Sequence, residues 1–122
     1  TLTVFFAVMF SSPSNAEWTE VSKNYAGTVY VDFERIRKVD GYVYAWVLAD
    51  YVKPQGDKLS SKHYQQSDCK LFRWKILSFN SHTEPMGGGP GDTLSIPKRH
   101  QSWRYPPPNA SEESVLKAIC SR

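Results

Sequence analysis

The sequence has no apolar run of the roughly twenty residues that a membrane-crossing helix needs. It contains only two cysteines, two methionines and three histidines in 122 residues. His63, His82 and His100 are scattered, form no i, i+4 pair and have no spare thiol, so the spacing of a metal site is missing. The formal net charge is only +3 and is spread along the chain, which gives a nucleic-acid partner no footing. No internal repeat, heptad or linker divides the sequence, and its length suits one domain. Aromatics make up 14% of residues, against 22% charged, which argues for a packed fold over disorder.

Glycine is also scarce, and four of the seven stand together in Glu84–Asp92, "EPMGGGPGD". A phosphate-binding loop of the Walker type needs a Lys followed by Ser or Thr after its glycines. Here Pro90, Gly91 and Asp92 follow Gly87–Gly89. A dinucleotide loop must open a helix, whereas "TLSIPKRHQSW" comes next, with β-type residues and a proline. The stretch therefore reads as a connection between strands.

The N-terminal segment Thr1–Phe10 is apolar, and "SSPSNA" follows it with small residues before Glu17. This is the pattern of a secretory signal peptide without its basic start. We read residues 1–16 as that signal and residues 17–122 as one exported domain. No cysteine follows the cleavage point, so no lipid anchor is expected there. In an exported chain, the pair Cys69 and Cys120 reads as one disulfide. The rival reading makes Cys69 a nucleophile served by His63 or His82.

The remainder predicts strands broken by turns. Gly27–Phe33 is β-rich. Gly41–Val52 is the strongest strand, flanked by "KVDG" and "KPQGD". Ser61–Ser67 and Lys70–Ser81 follow as two further strands, joined by a bulge. The end differs. After the prolines, Val115 with Ile119 and Leu116 with Cys120 form one apolar helical stripe. Asn109 is placed to cap that helix, with Glu112 completing a capping box. The "NAS" at Asn109 also matches a glycosylation acceptor, but the capping role is preferred. The expected fold class is α+β, a small antiparallel sheet of five to six strands with a C-terminal helix packed on it.

Both faces of the main strand are apolar. Val43, Ala45, Val47 and Ala49 point one way, and Tyr42, Tyr44, Trp46 and Leu48 the other. In the next long strand Phe72, Trp74 and Ile76 share a face. Arg73 and Lys75 lie with Leu71, Leu77 and Phe79 on the other. One short helix covers one face only. The other is either closed by sheet curling or is a partner or homodimer surface built on Tyr42, Tyr44, Trp46, Arg73 and Lys75. A second candidate surface is the basic loop of Lys98, Arg99, His100 and Arg104, beside Trp103 and Tyr105. Asp32, Asp50 and Asp68 sit near strand ends, where aspartates start turns, so no acid–base centre is predicted. No cofactor is required; His82 and His100, near flexible loops, are the candidates for a haem ligand.

Taken together, Trp18, Tyr30 with Asp32, Trp46, Asp50-Tyr51 and Asp68-Cys69 form an ordered series. Pro85-Met86-Gly87 with Gly89, Trp103, the prolines at 106–108 and Cys120 continue it. Across nearly all of the exported part, this series resembles the surface-adhesin protein E family of Gram-negative bacteria. The resemblance implies an antiparallel sheet with a C-terminal helix and a Cys69–Cys120 disulfide. It also implies an adhesin-like role: binding of host plasma and matrix proteins such as vitronectin, laminin and plasminogen, with dimerisation and haemin binding. The leading expectation is an exported, non-enzymatic protein-binding module. The alternative is a periplasmic haem carrier or a housekeeping envelope protein.

Overall fold

A computed structural model describes residues 16–122; the signal-peptide reading of residues 1–16 falls almost wholly outside them. Seven antiparallel strands form one sheet: β1 (Trp18–Asn24), β2 (Gly27–Asp32), β3 (Arg37–Val39), β4 (Tyr42–Gln55), β5 (Lys58–Asp68), β6 (Arg73–His82) and β7 (Gly91–Ser95). Their lateral order is β1-β2-β4-β5-β6-β7, with the short β3 paired to β4 beyond the end of β2. Among the described residues a single α-helix, α1 (Ser111–Cys120), follows. Among the described residues, no helix is long and apolar enough to cross a membrane.

The turns follow from the residues that make them. Asp40 and Gly41 both take positive φ, at 51° and 84°. This is the two-residue hairpin geometry that matches strand twist, and it sets Val39 opposite Tyr42. Asp68 accepts from the backbone N–H groups of Lys70 and Leu71, each at 3.2 Å, and starts the β5–β6 turn. Phe72 closes that turn at φ 53°. It therefore lies outside β6, where a continuous strand had been expected to place it beside Trp74 and Ile76.

Helix α1 packs its stripe on one face, which we call the helix face. Val115 and Ile119 join Val31, Val43, Ala45 and Val47 in one buried cluster, with Cys69 packed against it. The Cys69–Cys120 disulfide ties the helix end to the β5–β6 turn, across 51 residues. No free cysteine remains, which removes the reading of Cys69 as a nucleophile. The helix start differs from expectation. Ala110 occupies the cap position without a side-chain bond. Asn109 sits one residue earlier at φ 65°, and its N–H donates to Glu113 Oε1 at 3.0 Å. Glu113, in place of Glu112, thus reaches back toward the chain entering the helix.

A bulge moves one side chain to the other face. Gln65 pairs with Ile76 but Tyr64 pairs with Ser78, so Leu77 is the extra residue. After the bulge Phe79 lies opposite His63. Phe79 is therefore on the helix face with Ile76, and not with Arg73 and Lys75 as strict alternation had predicted.

Candidate functional site

Among the described residues, the face away from the helix is covered at one end only. The glycine-rich loop folds back onto it. Met86 N–H donates to Asp50 Oδ1 at 2.8 Å, and Gly87 N–H to Ser60 Oγ at 2.8 Å. Ser60 in turn donates to the Glu84 carbonyl. Gly87 has φ 74°, and a Cβ there would touch Lys62 Cδ at 3.3 Å and Leu48 Cδ1 at 3.5 Å. So the loop lies over Leu48, which is fully buried. This assigns the glycine stretch a structural duty: it closes the end of a face that α1 does not reach. Met86 itself stays 41% exposed.

Beyond that end the face is aromatic and open. The β4–β5 register sets Trp46 opposite Tyr64, and their ring centroids lie 5.0 Å apart. Tyr44 stacks on Tyr64 at 6.1 Å. Tyr42 meets Trp103 at 5.8 Å. The Arg73 guanidinium and the Lys75 ammonium sit 4.2 and 4.3 Å from the Trp103 centroid, within cation–π range. All five rings are half-buried, so each still shows part of its surface to solvent.

Trp103 reaches this place because its neighbour Arg104 pairs with Trp74 on the edge of β6, through N···O contacts of 2.9 and 2.7 Å. Adjacent residues of an extended segment point to opposite faces. Trp103 therefore lies on the open face and Arg104 on the helix face. Arg73 is held by Asp68, whose Oδ2 accepts from Nε at 2.8 Å. That bond, with the N–H groups of Leu71 and Lys70, holds the Asp68 carboxyl below the usual range. Five residues singled out from the sequence, Tyr42, Tyr44, Trp46, Arg73 and Lys75, thus share one face. Tyr64 and Trp103 complete it. Tyr64 could not be found by counting: the Gln55–Lys58 turn alone would set Ser67 against Trp46, and the register shift between Asp50 and Gln55 brings Tyr64 there instead.

The basic loop stays together only in part: His100 and Arg104 line one cleft, of which Lys98 and Arg99 are no part. Lys98, Arg99 and His100 form an exposed 3-10 turn, whereas Arg104 lies 5.5 Å from the Trp74 ring on the helix face. The histidines are apart. His63 Nε2 is 2.7 Å from Gln65 Oε1, and its ring stacks on Trp74 at 5.7 Å. Burial pushes its pKa down; the Gln65 bond and Glu112 pull it up, and Arg104 adds to the lowering. His82 Nδ1 is 3.2 Å from the Gly89 carbonyl. Among the described residues no three His, Cys, Asp or Glu side chains are grouped to hold a metal ion. The three aspartates act in local structure. Asp32 accepts from Glu34 N–H at 3.1 Å, Asp50 holds the glycine loop, and Asp68 starts the β5–β6 turn.

Comparison with known proteins agrees with this architecture. A crystal structure of Haemophilus influenzae protein E superposes with a TM-score of 0.64 at 16% identity, covering 89% of this chain and 92% of that one. A second crystal structure of that protein gives 0.62 at 17% identity, covering 89% of each chain. Protein E from a non-typeable strain gives 0.59 at 16% identity, covering 89% of this chain and 80% of that one. At such identities the likeness speaks for the fold. No curated protein matches in sequence. The sequence pattern of the surface-adhesin protein E family matches residues 18–121, nearly the whole described chain, and the chain belongs to that family.

Proposed function

We propose that this protein is an exported, non-enzymatic binding module of adhesin type. It meets a protein partner, a matrix or plasma protein of a host, through the open sheet face around Trp46 and Trp103. The observation that carries this reading is the half-exposed aromatic row with two cations on it. Tyr, Trp and Arg are the residues that supply most binding energy at protein interfaces. Aromatic rings held by a sheet lose little conformational freedom on binding. Membership in an adhesin family supports the same reading. The non-enzymatic part rests on the engagement of the candidate groups: both cysteines are bonded to each other, and Asp32, Asp50 and Asp68 each accept from backbone N–H groups.

The test is binding of the purified chain to immobilised vitronectin and laminin. Trp46→Ala and Trp103→Ala should each weaken it at least tenfold, the usual scale for an aromatic anchor. The pair Lys98→Ala and Arg99→Ala should change it little. Equal loss from the basic turn, or no loss from either tryptophan, sinks the proposal. A second copy is the competing occupant of this face, and light scattering across a wide concentration range distinguishes it. The surface part has its own check. If the protein resists external protease on intact cells and appears only after outer-membrane lysis, it is not a surface adhesin.

A further inference from the structure

Helix α1 lies against β1, β2, β4 and part of β5, where Gln65 and Ser67 are buried, and leaves the β6 and β7 side of its face largely open. Two clefts run there. One, of about 210 Å³, is walled by Val29, Val47, Ala49, Ile76 and Val115, with His63 and Trp74. The other, of about 310 Å³, is walled by Ile76, Phe79, Leu94 and Ile96, with His100 and Arg104. They share Ile76. They adjoin there, since Arg104 of the second also lies 5.5 Å from the Trp74 ring of the first, and the bulge at Leu77 is what puts Ile76 and Phe79 on this one face.

The lining is aliphatic with few polar groups. Burial pushes the His63 pKa down, so its ring joins the wall uncharged at neutral pH. The cation is Arg104. It lines the second cleft, lies over Trp74 of the first, and makes no ion pair among the described residues. Glu112 stands at the helix-side end of the first cleft. A ligand matching this pattern is apolar along its length and carries one anionic group at its head. Each cleft alone is at or below the lower end of small-molecule site volumes, so a ligand would have to occupy both; the lining is of the usual kind, apolar with a few polar groups that fix orientation.

We propose that this trough binds a free medium-chain carboxylate, with the carboxylate on Arg104 and the acyl chain across Ile76 into the cleft under the helix start. A guanidinium suits a carboxylate because two parallel N–H groups meet two oxygens. The apolar chain contributes through the area it removes from water. This site is on the opposite face from the aromatic row and stands whether or not that row binds a protein.

The experiment is a fluorescence titration of the full chain with dansylated undecanoate. Saturable binding at one site per chain is expected. Arg104→Gln should weaken it roughly tenfold, the scale of one charge-assisted bond. The backbone bonds of residue 104 to Trp74 are independent of its side chain, so this variant should fold. Ala49→Leu, which fills the first cleft, should remove binding without lowering Tm. Trp46→Ala, on the other face, should leave it unchanged. The proposal is overturned if Arg104→Gln and Ala49→Leu bind the probe like wild type. Equal affinity for the uncharged dansylated undecanol also overturns it. So does capture by anionic phospholipid vesicles with no binding of the free probe, which would point to a membrane surface in place of a free ligand.

Discussion

Replacing Cys69 and Cys120 together by alanine tests how the helix is held. The disulfide closes a span of 51 residues that contains β6, the glycine loop, β7 and α1. In the chain-entropy account a loop of that length removes about 14 cal/mol/K from the unfolded ensemble, or about 4 kcal/mol near room temperature. For a domain of this size the loss corresponds to a fall of the order of 15–25 °C in Tm. The bond could instead be what holds α1 on the sheet in the native state. Magnitudes decide between the two. Val115, Leu116 and Ile119 are 5%, 0% and 0% exposed. Burying three such side chains is worth roughly 5–9 kcal/mol, more than the bond contributes. The helix should therefore stay docked without it.

The assay is urea unfolding of wild type and the double variant, followed by far-UV circular dichroism and tryptophan fluorescence. One cooperative transition is expected in both, with coincident probes. The midpoint should be lower in the variant, and its m value higher, because its unfolded chain is less compact. A difference below about 1 kcal/mol would refute the loop-closure argument. Loss of helical signal ahead of the fluorescence change would refute the claim that packing alone docks α1.

Leu116→Ala should cost about 2–5 kcal/mol in the same melts, since it empties a fully buried position. Gly91→Ala should strip β7 from β6, because a Cβ there would sit 1.5 Å from the Ser81 carbonyl oxygen; rapid hydrogen exchange at Thr93 and Leu94 is the readout. His63 has a folded-state pKa below its unfolded one, so the folded chain binds fewer protons and stability falls as pH drops below about 6.5. His63→Phe should flatten that part of a stability-against-pH curve, and an unchanged slope would assign it to another group. Asp50→Ala should free the Met86 N–H and speed its exchange while leaving the sheet intact.

How much of this was legible in the sequence depends on the range of the interaction. The strand at Tyr42 and the helix at Ser111 were readable because their periodicity and turn or proline flanks are local. The helix cap was misread by one residue, since Asn109 takes positive φ and serves the turn before the helix. The β5–β6 turn was hidden behind Leu71 and Phe72, which look like strand residues; the local signal was Asp68, an aspartate able to accept two following N–H groups. The Leu77 bulge left no mark at all. It satisfies the pairing of two long strands, and it alone moves Phe79 into the trough. The glycine loop could be recognised as a connection, but its cover over Leu48 depends on Asp50 and Ser60, more than twenty residues away in the chain.

The placement of both candidate surfaces follows from one shortage of cover. Six strands side by side span about 24 Å, at about 4.8 Å per neighbour. A helix with its side chains is about 10–12 Å wide, so α1, which lies against β1, β2, β4 and part of β5, leaves the β6–β7 side of its own face largely open. Among the described residues the opposite face has no helix, and the glycine loop reaches only the end near Leu48. Any sheet of this width with one short helix must leave apolar area exposed, and what fills that area is not uniform. On the open face it is aromatic, with the cations Arg73 and Lys75 laid on Trp103, a rigid and amphipathic surface suited to another macromolecule. On the helix face it is aliphatic and cleft-shaped, with Arg104 as its cation, suited to a chain with a single charged end. The same deficit of cover therefore yields two surfaces of different chemistry, and substitutions at Trp46 and at Ala49 should separate their functions without affecting each other.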